Sequence, residues 1–577
     1  MNLQSIVNSL INDTVHISVP LFRPELALCA TIVVLLLARV FPLLDRIPPF
    51  AIALVGAIVA LVAAVPEGGL SLAAWGAIER QEFFTGMLVY DALTAYMRLF
   101  LMAFAVLFVI LSRLTGIADR HDGQDYYSLV FGATVGMCIM VSANHLLSLF
   151  LGVEMASVPS YVLAGVVKGR QRSSEAALKY AVYGAGAAGV MLYGTSLLAG
   201  LLGAVHLPTM TQRLIEFDVP GRLANGDLSV MVLALAGLML AVGLAFKLSA
   251  VPFHFWCPDV FEGASAEVGG FLSVASKAAA LALLVRVGIG FGYQHPHDTP
   301  PSGPTSKLAA AAADRAAPDV RLTAAPQANE SSAAAADQQA AAATMRLAPV
   351  RRYIATLIAV VAIVTCTFGN LAAYGQKNIK RMFAYSTIAH AGFMMMPVAA
   401  AVALVDRDVR GAADAISAIL LYATIYLFMN LGAFAIIAFL RNSMQSEEIK
   451  DYAGLISRSP LVAVAMTTIL FSLVGLPPLA GFWPKLRVLQ SLYEAGGPLL
   501  MFVMVAAAVN TAISLVYYLR VAKTMCIDSE PDTSRPVQMG FLPTTYVLAL
   551  TLPVLILGVL PELIAPWTQH ATAGLFG

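Results

Sequence analysis

Charged side chains make up only 12% of the 577 residues, against roughly 25% in ordinary soluble domains. A soluble fold of this length needs an extensive charged surface, and this chain cannot supply one. Cysteine is equally sparse. The five thiols (Cys29, Cys138, Cys257, Cys366 and Cys526) lie far apart with no C-x-x-C pair, which argues against a disulfide framework and against an iron–sulfur or zinc cage. Neither sign of charge dominates: 35 basic against 34 acidic residues leave +1, so there is no polybasic footprint for nucleic acid. The N-terminus, MNLQSIVNSLINDTVHISVP, lacks a basic stretch followed by an apolar core, so no cleaved signal peptide is expected. Gly-Ile-Gly-Phe-Gly (Gly288 to Gly292) has no strand before it and ends an apolar run, which makes it a poor nucleotide loop.

What the chain has is apolar sequence. Hydrophobic residues reach 59% and mean hydropathy is +0.79, the signature of an integral membrane protein. A span needs about 20 mostly apolar residues. On that ruler candidates fall near 21–41, 48–66, 89–113, 126–143, 145–167, 176–205, 228–250, 266–293, 353–373, 382–404, 412–440, 460–494, 497–520 and 541–566. These predict an all-α polytopic membrane protein of about fourteen transmembrane helices. With the N-terminus outside, the loops after odd-numbered spans carry 16 Lys and Arg residues, and the short loops after even-numbered spans carry five. Both termini are therefore expected on the non-cytoplasmic side. Residues 294–350 are Ala- and Pro-rich with few large apolar residues, and read as a disordered external loop.

An ionisable group deep in a span costs at least about 2.5–3.5 kcal/mol, so each is a functional candidate. Glu154, in HLLSLFLGVEMASVPSYVL, and Lys277, in EVGGFLSVASKAAALALLVRV, are central to their spans. Lys247 ends LMLAVGLAFK, Lys485 follows GLPPLAGFWP, and His390 lies within MFAYSTIAHAGFMMM. Lys247 and Lys485 could instead snorkel to headgroups from a helix end, and His390 could be a packing histidine. Lys179 stands near its helix start, where an interfacial anchor serves as well as a functional group. Asp91 opens a span and is expected to cap it, and Asp259 and Glu262 read as loop residues. Pro252 follows Lys247 by five residues, Pro159 follows Glu154 by five, and Pro477-Pro478 precede Lys485. Prolines free backbone carbonyls, and broken membrane helices persist only beside protein or a wet cavity. A lysine at a broken helix in each half suggests inverted repeats spanning roughly spans 4–8 and 9–13.

The chemistry that follows is proton relay. A lysine titrates near 10.4 in water, and burial eases its deprotonation while a nearby carboxylate opposes it. Glu154 and Lys247 could thus form an electrostatic switch, with Lys277 and His390 passing protons and Lys485 releasing them.

Taken together, FLGVEMASVPSYVLAG, EAALKYAVYGA, FKLSAVPFHFWCPDVFEGAS, GNLAAYGQKNIKRMFAYSTIAHAGFMMM and GLPPLAGFWPKL resemble the antiporter-like subunit N family of respiratory complex I, NADH–quinone oxidoreductase, in collinear order over most of residues 80–525. The resemblance implies two inverted five-helix repeats with broken spans 7 and 12. Spans 1–3 would fall in 1–125, the first repeat in 126–293, the second in 351–522 and the last span in 523–577. It implies a proton pathway of Glu154, Lys247, Lys277 and Lys485, bordered by Lys179, His254 and His390. It also implies partners among the M-, K-, J- and A-type membrane-arm subunits, while the Ala-rich, signal-free chain suits a bacterial inner membrane better than an organelle. No cofactor is expected on this chain; FMN, iron–sulfur clusters, NADH and quinone would belong to other subunits. The sequence departs from the family at the Ala/Pro-rich insertion and at Pro484, which is expected to turn Lys485. The alternative reading is a secondary cation/proton antiporter without a redox partner; a third is a structural subunit whose charges only brace packing.

Overall fold

The computed structural model describes residues 3–41, 47–118, 122–294, 330–530, 537 and 539–576, and among them one short hairpin, Gln81–Phe83 against Leu88–Tyr90, interrupts an otherwise helical architecture. Hydrocarbon offers the backbone no partner, so each apolar run closes its own hydrogen bonds as a helix. The membrane helices are α1 (Arg23–Ala38), α2 (Pro49–Ala63), α3 (Ala92–Thr115), α4 (Gly123–Ser142), α5 (Leu146–Ala164), α6 (Gln171–Leu202) and α7 (Ser229–Leu248). There follow α8 (Trp256–Gly263), α9 (Ala266–Gly292), α10 (Glu330–Ala373), α11 (Ile379–Leu404) and α12 (Val409–Met444). The last are α13 (Pro460–Val474), α14 (Phe482–Ala495), α15 (Gly497–Cys526) and α16 (Phe541–Val559).

All fourteen expected spans coincide with helix. Eleven of these helices are long and apolar enough to cross a bilayer alone, or twelve if Leu10–Leu21 and α1, bent by 83°, count as one span. The difference from fourteen lies in short or interrupted pieces such as α2 and α13. Three helices form the centre: the apolar window of α9 is 100% buried, and α11 and α12 are nearly so, whereas α7 and α15 bury only 28% of theirs. On α5 an outward stripe of Leu147, Leu151, Met155, Val158 and Val162 is exposed at helical spacing, as a lipid-facing side requires.

Several sequence expectations change. Helix α10 reaches back to Glu330, so residues 330–350 are helical rather than part of a disordered loop. Alanine has the strongest intrinsic helix propensity, and the run AAAADQQAAAAT propagates helix without large apolar side chains. The remainder of that loop, 295–329, lies outside the described residues. Pro159 does not break α5. Around it, the Ser157 and Ser160 hydroxyls donate to the carbonyls of Val153 and Ala156, both at 2.6 Å, while the carbonyl that the proline leaves without its amide is that of Met155. Asp259 and Glu262 sit in α8, the second half of a broken span, not in a loop. The glycine run 288–292 lies inside α9.

Apart from the bend before α1, two spans are interrupted among the described residues. Helix α7 ends at Leu248, and Ser249 in the left-handed region (φ +57°) leads to an irregular segment through Pro252 before α8 begins. Helix α13 ends at Val474, and Gly475 (φ +90°) opens the Pro477-Pro478 link to α14. A side chain at 475 would be strained and would also meet Lys485, since its Cβ would stand 2.9 Å from the lysine Cδ. Pro484 occupies the first turn of α14, where a missing N–H costs nothing.

Candidate functional site

The interruptions position the buried lysines. Lys247, the penultimate residue of α7, is 1% exposed, and its ammonium donates to Ser157 Oγ of α5 at 3.0 Å. Ser157 lies three residues along α5 from Glu154, so the structure brings Lys247 to the turn that carries Glu154, although its hydrogen bond goes to the serine. Glu154 itself is half-buried beside the outward stripe of α5. Lys277, in the middle of α9, is buried as completely as Lys247. Its Nζ donates to Leu248 O (2.7 Å) and Ser249 Oγ (2.8 Å), the two groups that end α7. The free carbonyls at a helix C-terminus carry partial negative charge, and an ammonium is stabilised there. The broken span therefore supplies the polar seat for Lys277, and the Trp256 ring of α8 stands 5.9 Å from the ammonium.

The second interruption repeats this arrangement. Lys485 in the first turn of α14 is buried, and its Nζ donates to Val474 O, the last residue of α13, at 2.9 Å. The ammonium also lies 4.7 Å from the centre of the Phe393 ring of α11, within cation–π range. Pro484 thus leaves the lysine turned onto the helix end. His390 of α11 is held on both sides, sharing a hydrogen bond at 2.8 Å with Tyr422 of α12 and at 3.1 Å with Tyr518 of α15. Tyr518 shares a further bond with Ser386 at 2.5 Å. One turn along α12, Tyr426 donates to Thr387 (3.2 Å) and accepts from Asn430 (2.9 Å). His390 is therefore part of a buried polar network of three helices.

Lys179 of α6 pairs with Glu175 and with Asp259 of α8, each at 2.8 Å. Arg381 of α11 grips the same Asp259 and also Glu262, again at 2.8 Å. His254, in the segment between α7 and α8, is 4% exposed and lies between the Phe255 and Phe368 rings, each centroid 4.4 Å away. Its Nδ1 has no hydrogen-bond partner among the described residues. The structure groups Lys247, Lys277 and His254 around the first interruption and places Lys485 with His390 near the second.

Other buried ions escaped the sequence reading. Asp91 caps α3 through Thr94 N (2.8 Å), as expected, but also accepts from both terminal guanidinium nitrogens of Arg286 at 2.6 Å. Glu25 and Arg98 form a pair at 2.6 Å with both side chains almost wholly buried. Glu267, Lys380, Glu447 and Arg441 form a cluster at one end of α9, α11 and α12. The one available signal was an isolated charge beside an apolar run, which does not tell a cap from a buried pair. Among the described residues no group of three or more His, Cys, Asp or Glu side chains could hold a metal ion.

A many-helix membrane protein with two interrupted spans, each interruption seating a buried lysine on its exposed carbonyls, belongs structurally to the ion-translocating class. A family model described as NADH:quinone oxidoreductase/Mrp antiporter, TM, matches residues 143–295 and 333–511. Within that class the chain belongs to the NADH-quinone oxidoreductase subunit N family. It is 34% identical over 557 residues to the NADH-quinone oxidoreductase subunit N of Anaeromyxobacter sp. (strain Fw109-5), covering 95% of each chain. Among solved structures it is similar to a chain of respiratory complex I from Thermus thermophilus with bound aureothin, at 28% identity, TM-score 0.66, and 94% and 98% coverage of this chain and that one. The fold alone is also shared with a chain of the Mrp complex from Dietzia sp. DQ12-45-1b, at 18% identity, TM-score 0.69, and 96% and 97% coverage.

Proposed function

We propose that this chain is a proton-translocating membrane subunit of an NADH–quinone oxidoreductase, moving protons while other subunits carry electrons from NADH to quinone. The observation that carries this reading is the pair of buried lysines, Lys277 and Lys485, each hydrogen-bonded to the carbonyl that a broken helix leaves free. Glu154, Lys247, Lys277 and Lys485 are the pathway residues. Glu154 sets the charge that Lys247 feels, Lys277 hands the proton across the centre, and Lys485 releases it. Lys179, His254 and His390 border the route. The two interruptions would belong to inverted repeats, the first within 126–293 and the second within 351–522. The charge distribution of the loops supports termini on the non-cytoplasmic side of a bacterial inner membrane. The partners would be the M-, K-, J- and A-type membrane-arm subunits. FMN, the iron–sulfur clusters and the NADH and quinone sites would reside elsewhere in the complex.

A second reading, a cation/proton antiporter without a redox partner, is favoured by the fold shared with the Mrp complex chain. A pull-down of the tagged chain in mild detergent separates the two. Flavin absorbance and NADH–ferricyanide reductase activity travelling with the chain support the first. A stable assembly without them, moving protons in response to sodium, supports the second. In vesicles holding the whole complex, Lys247→Ala is expected to collapse redox-driven proton pumping. Nearly normal pumping after that change would reduce the charges to braces.

A further inference from the structure

One buried carboxylate takes no part in the relay described above. Glu267 is the second residue of α9 and is 0% exposed, yet neither of its oxygens has a hydrogen-bond partner among the described residues. Its ion-pair contact is loose, with Arg441 Nη2 of α12 standing 3.9 Å from Oε1, beyond hydrogen-bond reach. The helix end does not need it as a cap, because the Ser265 hydroxyl already accepts from Val268 N. Three residues upstream, Ala264 O accepts from Lys380 Nζ at 2.7 Å, and the same buried ammonium pairs with Glu447 Oε2 at 2.9 Å. Among the described residues, Glu447 Oε1 and the Tyr452 hydroxyl are also buried without hydrogen-bond partners. Leaving such groups unpaired carries an uncompensated desolvation cost, larger for a charged one, and residues that persist at that cost call for a functional account.

The position of the cluster supplies one. Glu267 precedes Lys277 by ten residues on α9, about 15 Å of helix. Arg441, across from Glu267, follows Asn430 by eleven residues on α12, about 16 Å. Asn430 has its own buried Oδ1, without a hydrogen-bond partner among the described residues, and leads through Tyr426 to Thr387, with the His390 ring 5.1 Å from that of Tyr426. Glu267 therefore stands at the common end of the two helices that lead inward to Lys277 and to the His390 network.

We propose that Glu267 is a proton-uptake carboxylate shared by both halves of the pathway, at the end of the bundle read above as cytoplasmic. This rests on the relay reading. A carboxylate oxygen takes a proton from the aqueous side and returns the same proton inward, with no electron moving. Lys380 and Arg441 balance Glu267 and Glu447 when both carboxylates are ionised, and protonation of Glu267 leaves one positive charge; Tyr126, Tyr452 and Asp451 also face the cluster.

The test uses the intact complex in inverted vesicles, with acidification normalised to NADH–ferricyanide reductase activity as a measure of assembled complex. Glu267→Gln keeps the shape and removes the titratable group. Acidification is expected to slow about 100-fold, the lower end of what loss of a general acid–base group costs. Glu267→Asp, with its carboxylate one methylene back, is expected to pump with a displaced pH profile. Wild-type rate and pH profile in Glu267→Gln overturn the inference. Should that variant fail to assemble, Glu267→Asp decides, and an unmoved pH profile there overturns it. Lys277→Ala run alongside separates the two levels. Pumping lost there but intact in Glu267→Gln sinks the uptake role alone, whereas pumping intact in both sinks the relay as well.

Discussion

Replacing Gly475 by alanine tests how far the function depends on the second interruption. Gly475 adopts φ +90°, and an L-residue in left-handed backbone costs roughly 1–2 kcal/mol. The new Cβ would lie 2.9 Å from Lys485 Cδ, and the lysine, buried on all sides, has little room to retreat. Movement sufficient to relieve the contact breaks the Nζ bond to Val474 O, and a hydrogen bond from a charged donor is worth about 1.5–3 kcal/mol. The combined penalty is about 2.5–5 kcal/mol. Gly497 is the control, because it has φ +81° but nothing within 4 Å of a built Cβ, so its replacement carries the backbone term alone. The difference between the variants, about 1.5–3 kcal/mol, corresponds to roughly a ten- to hundredfold loss of complexes with Lys485 seated. Vesicle acidification per NADH oxidised should therefore fall in Gly475→Ala and hold in Gly497→Ala, with both complexes assembled. Equal pumping by the two would refute the argument that Lys485 must sit on the end of α13.

Arg286→Gln leaves Asp91, 2% exposed, without its bidentate partner, and breaking a buried pair from one side costs about 3–5 kcal/mol. Thermal unfolding of the purified complex should show the loss, and an unchanged midpoint would mean that water reaches Asp91. At the hairpin, burial pushes the Glu82 carboxyl up, but the His206 hydrogen bond and charge, with Asn144 and Arg80, outweigh it and hold the carboxyl below its usual range. Its stabilisation is then complete above the unfolded value of about 4.3 and is lost as pH falls through the lower folded value. Comparing the acid limbs of wild type and Glu82→Gln by thermal unfolding checks the sign, since the variant should lose less on acidification.

How much of this was readable beforehand follows from what each signal encodes. Hydropathy located the spans because burial in lipid is a property of local composition. The lysines stood out for the same reason: a charge in an apolar run is costly wherever it sits. Proline marked two interruptions correctly and a third, Pro159, wrongly, because a membrane helix packed against its neighbours can run through a single proline and sequence spacing does not show where it does. The Asp91–Arg286 pair joins residues 195 positions apart, and no periodicity carries that information. Nothing in the sequence tells a carboxylate at a helix start that caps from one that does not; Glu267 is set apart only by the structure, where Ser265 takes the capping role.

Besides the Ser249 hydroxyl at Lys277, the acceptors for Lys277 and Lys485 are main-chain oxygens, Leu248 O and Val474 O. Any amino acid at 248 or 474 presents the same carbonyl, so point substitution there does not delete the acceptor as it would delete an aspartate or glutamate. What natural variation can disturb is the bend that exposes it. The genetic fragility of these two seats is thereby shifted from the residues that touch the ammonium to the few, such as Gly475, that let the chain turn.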